Sequence, residues 1–130
     1  MPDVSGTAAK IRGDGGYRWV GIYEVTDDEI GILGWDGEGE PAYPRFPRSQ
    51  GLCGAAAERG ETVVVGDVTN DPRYLTTFGT TRSEIVVPIV RAGNVVGVLD
   101  VESEKPNAFD DDDRAQLEAA AQKLASEWDG

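Results

Sequence analysis

Four side chains carry most of the chemistry this sequence offers: the carboxylates of Glu84, Asp100 and Glu102 and the thiol of Cys53. The carboxylates lie on two runs rich in β-branched residues, 83–91 and 95–102, split by Ala92-Gly93-Asn94, a composition suited to a tight hairpin turn. If those three residues connect the runs, Arg91 faces Val95 and Glu84 faces Glu102. Side chains alternate across a strand, so Asp100 shares that face, one pair inward and opposite Val86. The face continues as Val86, Pro88, Val96 and Val98, and the other carries Ile85, Val87, Ile89, Leu99 and Val101. A slip of one residue would send Glu84 to the opposite side.

Two carboxylates about 5 Å apart repel by roughly 3 kcal/mol at an effective dielectric of about 20. A surface ion pair returns less than that. Relief can come from a raised carboxyl pKa, from Arg82 or Arg73, or from the ammonium of a bound small molecule. The same residues also read as an exposed acidic strand end, neutralised by solvent and arginine. Magnesium or calcium is the weakest reading, because no loop with recognised ligand spacing accompanies these acids, and no metal site is expected. Cys53 is open to two readings as well. It falls near a predicted helix N-terminus, where the dipole lowers a thiol pKa, or it is a small buried hydrophobe.

The rest of the composition narrows the field. Among 130 residues there are 24 acidic and 12 basic side chains and no histidine, for a formal charge of −12. Without histidine, Ser-His-Asp hydrolysis and the usual zinc, iron or copper ligand sets are excluded. The acidic excess disfavours nucleic acid, whose binding rests on lysine and arginine. The single cysteine cannot form an internal disulfide, no apolar run approaches the roughly 20 residues of a bilayer span, and MPDVSGTAAK lacks a signal pattern. A cytoplasmic protein with no membrane partner and no cofactor is expected. The few lysines and the run 110–113 of aspartates suggest salt adaptation.

Elements that could position these residues follow from pattern. A short helix over 4–12 should end at Gly13, Gly15 and Gly16. Residues 17–25 and 29–35, joined by Thr26-Asp27-Asp28, read as a β-hairpin. Residues 36–50 are loop with at most a short extended piece. A helix over 51–59 stops at Gly60, and 62–65 is a buried strand. The polar stretch 67–81 is too long for an ordinary connection. A last helix starts at the Asp110/Asp113 cap, with Phe109 packing back on its first turn, and presents Leu117, Ala120, Ala121, Leu124 and Trp128 on one face. Antiparallel strands with segregated helices describe an α+β layer in one domain, 1–130, with its core over 17–124.

Five motifs in order, Tyr17-Arg-Trp-Val-Gly-Ile-Tyr23, Gly51-Leu-Cys-Gly-Ala-Ala56, Gly66-Asp-Val68, Ser83-Glu-Ile-Val-Val-Pro-Ile89 and Gly97-Val-Leu-Asp-Val-Glu-Ser103, resemble the GAF domain family. They look most like the free methionine-(R)-sulfoxide reductases built on that PAS-like fold. The resemblance implies an antiparallel sheet of five or six strands with terminal helices on one face. It places a ligand pocket on the other face, roofed by 36–50 and 67–81. It assigns Glu84, Asp100 and Glu102 to substrate and sets Trp19 beside it. Those reductases carry three cysteines, of which only Cys53 is kept here; Tyr43 and Thr77 stand where the first-loop cysteine and the nucleophile would be.

Sulfoxide reduction needs a thiolate to attack sulfur and a second thiol to release the enzyme. Thr77 has no histidine to activate it. The expectation is therefore a sensor-like GAF domain without redox activity, binding a zwitterionic or cationic small molecule such as a free amino acid. Trp19, Tyr43 and Thr77 would close its site. The alternative is a thiol-dependent reductase of free methionine-(R)-sulfoxide using Cys53. A third reading is a signalling module whose helices form a homodimer.

Overall fold

The computed structural model describes residues 3–75 and 78–128. Its first helix, α1 (Val4–Gly15), starts where the Asp3 carboxylate accepts from the Gly6 amide at 2.9 Å. It runs three residues past the expected end. Gly13 weakens a helix by only about 1 kcal/mol, and the chain turns left-handed first at Gly16, where φ is 67°.

Strands β1 (Trp19–Val25) and β2 (Glu29–Gly37) form the expected hairpin, and β3 (Arg45–Pro47) is the short extended piece of the following loop. Helix α2 spans Gly51–Arg59 and ends on left-handed Gly60. Strand β4 (Val63–Val65) is followed by a 3-10 turn, Val68–Asn70. Strands β5 (Ser83–Arg91) and β6 (Asn94–Ser103) make the second hairpin, and α3 (Asp111–Glu127) closes the fold. The start of α3 is fixed by a reciprocal capping box between Asp110 and Asp113.

The strands form one antiparallel sheet in the order β3-β2-β1-β6-β5-β4. Its odd β5 and β6 residues, Ile85, Val87, Ile89, Leu99 and Val101, pack with Val20 and Ile22 against α1 and α3. Leu117, Ala121, Leu124 and Trp128 are used there, covering the sheet. The opposite face carries Trp19, Tyr23, Val86 and Val98 under α2 and the long loops.

The β5–β6 hairpin corrects the expected turn. Ala92 (φ 52°) and Gly93 (φ 82°) are both left-handed and form a two-residue connection, so Arg91 pairs with Asn94 rather than with Val95. The extra residue appears as a bulge. Val90 pairs with Val95 and Ile89 with Gly97, leaving Val96 unpaired on β6. Beyond the bulge the pairing is the expected one, Val86 to Asp100 and Glu84 to Glu102. Val96 consequently packs on the α1/α3 side rather than beside Val98, and Val95 joins the other core.

Candidate functional site

Strand β6 runs between β1 and β5, so each of its residues has a neighbour on either side. On the loop-covered face one row is Trp19, Glu102, Glu84 and the next is Gly21, Asp100, Val86. The third is Tyr23, Val98, Pro88. Gly21 gives Asp100 a neighbour with no side chain and leaves room for the Trp19 indole. A Cβ at Gly21 would lie 2.3 Å from Trp19 Cη2.

These acids are not an exposed strand end. Glu84 is 4 % exposed, Asp100 1 % and Glu102 0 %. The roof explains it: α2 brings Leu52, Cys53 and Ala56 over the sheet, while Phe46, Leu75 and Phe78 come from the flanking segments. The two arginines that were candidates for neutralising the cluster turn elsewhere. Arg73 pairs with Asp71 at 2.7 Å and Arg82 with Asp67 at 3.7 Å. Among the described residues no arginine or lysine pairs with Glu84 or Asp100. Glu102 accepts from the Thr81 hydroxyl at 2.9 Å.

Burial therefore governs protonation. It pushes the Glu84 carboxyl well above the usual carboxylate range, and the neighbouring Glu102 charge adds to the effect. Asp100 is raised first by burial and then by Glu84, and it shares hydrogen bonds with both glutamates. Carboxyl groups bonded to one another must hold protons between them. The buried Asp100 Oδ1 has no hydrogen-bond partner.

Cys53 faces the same acids. Burial and then the charges of Asp100, Glu84 and Glu102 push its thiol up, the reverse of the helix-dipole effect. Tyr23 is raised too, by burial and by Asp100. Sequence reasoning missed Tyr23 and Phe46 as site residues. The alternation Trp19, Gly21, Tyr23 was the available signal for the first.

Trp19 is fully buried against this face, stacked on Trp35 at 6.5 Å and edge-on to Phe78 at 5.5 Å, with its indole N–H donating to Gly39 O at 3.1 Å. Tyr43 is not gathered in. It stands 43 % exposed on the β2–β3 loop, and Phe46 fills the roof instead. Thr77 lies outside the described residues. The cavity between Cys53, Glu84, Asp100, Tyr23, Phe46 and Leu75 measures about 20 Å³, the room of one water molecule. Two larger surface grooves, about 620 and 660 Å³, contain none of these acids.

The model of the GAF domain matches residues 5–128. The chain belongs to the GAF domain family. It is 34 % identical over 118 residues to GAF domain-containing protein A of Dictyostelium discoideum, covering 90 % of this chain and 73 % of that protein. It is 36 % identical over 110 residues to the free methionine-R-sulfoxide reductase of Saccharomyces cerevisiae, covering 82 % of this chain and 61 % of the enzyme. The chain thus spans less than two thirds of that enzyme's length. The solved free methionine-R-sulfoxide reductase of Neisseria meningitidis, in complex with its substrate, superposes with a TM-score of 0.87 at 38 % identity, over 95 % of this chain and 74 % of that one. This GAF chain is strongly similar to those reductases, and it carries one cysteine. No helix among the described residues is long and apolar enough to cross a membrane.

Proposed function

We propose that this GAF domain binds a small cationic or zwitterionic molecule, a free amino acid or close derivative, and does not reduce it. The observation that carries the reading is the burial of Glu84 and Asp100 with no basic side chain paired to them among the described residues. An ammonium group supplies the missing positive charge and can donate to Asp100 Oδ1. Trp19 and Tyr23 offer apolar surface beside it. The 20 Å³ cavity is too small for an amino acid, so entry requires Leu75 and Phe46 to move aside.

Loss of redox chemistry follows from the thiols. Attack on a sulfoxide needs a thiolate, threonine stands at the aligned nucleophile position 77, and the Cys53 environment disfavours ionisation. The similarity to reductases favours one rival, a reductase that uses Cys53 with external thiol. One experiment separates the two. The chain and its Cys53→Ser variant are incubated with free methionine-(R)-sulfoxide and dithiothreitol, methionine is quantified, and binding of the same compound is followed by calorimetry. Binding without turnover supports the proposal. Turnover abolished by Cys53→Ser establishes the reductase instead.

A further inference from the structure

We propose that the cavity bounded by Cys53, Glu84 and Asp100 is a site for one thiophilic divalent cation of the zinc type. The proposal shares the acids of the organic-ligand reading without resting on it: it concerns the cavity at its present volume of about 20 Å³, which admits an ion and not an amino acid.

Three features combine. One ligand atom from each of Cys53, Glu84 and Asp100 falls within 4.8 Å of the other two, and all three residues are buried. The cavity volume, about 20 Å³, suits a single ion. Asp100 Oδ1, on a residue 1 % exposed that lines this cavity, has no hydrogen-bond partner. A buried carboxylate oxygen without a donor is a costly arrangement unless a cation satisfies it.

The donor set decides which cation. Calcium and magnesium take six or more oxygens, usually including waters, and a cavity of this size walled by Leu75 and Phe46 cannot supply them. One thiolate and two carboxylates match a borderline-soft ion that accepts both sulfur and oxygen at four-coordinate geometry. Three protein donors leave a fourth position that the second oxygen of a carboxylate can fill. Binding requires no change in oxidation state. The sulfur–metal bond forms as the thiol proton leaves to solvent, and any proton shared by Glu84 and Asp100 leaves with it. The scaffold is rigid on both sides, since Glu84 and Asp100 sit on adjacent hydrogen-bonded strands and Cys53 on a helix packed across them. The motif is invisible in sequence, where the donors are separated by 30 and 15 intervening residues and no histidine accompanies them.

The test titrates the reduced, chelator-treated full chain with zinc chloride, followed by calorimetry and by zinc-edge X-ray absorption, with no amino acid present. The expected result is one equivalent bound, with a sulfur scatterer at about 2.3 Å and oxygens at about 2.0 Å. Cys53→Ser should remove the sulfur shell, and Asp100→Asn should weaken binding at least about tenfold. Asp112→Asn, on the exposed acidic run, should change neither. An oxygen-only shell in the unmodified chain overturns the proposal without recourse to any variant. So does stoichiometry that survives Cys53→Ser, which would mean ions gathered by a surface of charge −12. Failure here leaves the methionine sulfoxide calorimetry to decide the organic ligand separately.

Discussion

Glu84→Gln should make the metal-free, ligand-free protein more stable near neutral pH while weakening what the site binds. The side chain is 4 % exposed, and its carboxylate approaches that of Asp100 within 4.8 Å. Two full charges at that separation repel by about 3.5 kcal/mol at an effective dielectric of about 20. The protein meets this by protonation, and each pKa unit of upward shift takes about 1.4 kcal/mol from the stability, up to the working pH. Glutamine keeps the shape and removes the ionisation. It also exchanges a carboxyl hydrogen bond for an amide one, a loss of about 1 kcal/mol. The net gain near pH 7 is at most about 2.5 kcal/mol.

The sign with pH is fixed by the direction of the shift. Burial raises Glu84 in the folded state, while the unfolded chain titrates near the ordinary value of about 4.3. Below that value both states are protonated and the Glu84 contribution is fully present. As pH rises the unfolded state ionises first, and stability falls until the folded-state pKa is passed. Urea denaturation from about pH 4 to about pH 8, read by tryptophan fluorescence with the m value checked, should therefore show the variant about 1 kcal/mol less stable than wild type in acid and overtaking it as pH rises. A variant less stable than wild type near pH 7, with an unchanged pH slope, would refute the reasoning. It would mean that Glu84 is ionised and satisfied in the folded protein.

Three further outcomes are expected. Asp110→Ala removes the carboxylate that accepts from the Asp113 amide at 2.9 Å, and with it half of the α3 capping box, for a loss of about 1 kcal/mol in chemical denaturation. Gly21→Ala sets a Cβ 2.3 Å from Trp19 Cη2, so the indole must move; the cost is about 1–3 kcal/mol, with a changed near-ultraviolet dichroism from the tryptophans. Deleting Val96 closes the bulge and leaves Arg91–Asn94, Val90–Val95 and Ile89–Gly97 pairing consecutively behind the two-residue turn, so the register of Glu84 and Asp100 is kept and the cooperative thermal transition should survive, lowered only by the lost packing of the Val96 side chain.

Helix and strand positions were legible because their determinants are local. The bounds 51–59 of α2 come from its small-residue pattern and Gly60, and the start of α3 from Asp110 and Asp113. The identity of the acidic cluster was legible for a different reason, since a period of two and one correct pairing place Glu84, Asp100 and Glu102 together. Their burial was not, because it depends on Phe46, Leu75 and α2 arriving from segments with no fixed spacing to β5 or β6. Which of the three candidate sources of relief applies was illegible on the same ground, and Arg73 and Arg82 do not supply it. Asp71 sits two residues from Arg73 and takes it first, a local closure that costs less entropy than reaching the cluster. Tyr43, three residues before Phe46, was given a place that the more apolar side chain occupies.

The hairpin shows why a mistaken turn still gave the right register. A two-residue turn followed by unbroken pairing would set Glu84 against Val101 and Ile85 against Asp100. Glu84 would then lie on one face, and Asp100 and Glu102 would enter the apolar layer of Ile85, Ile89 and Leu117. Burying two carboxyls there without partners costs several kcal/mol. A single bulge costs much less on a strand whose turn end is exposed. The turn chemistry of Ala92-Gly93 and the two-sided burial of the strand thus conflict by one residue, and Val96 absorbs the difference. An assumed three-residue turn counts the same extra residue a few positions too early. It therefore yields the correct partners for the acids and the wrong face for Val96 alone among the residues assigned to that side.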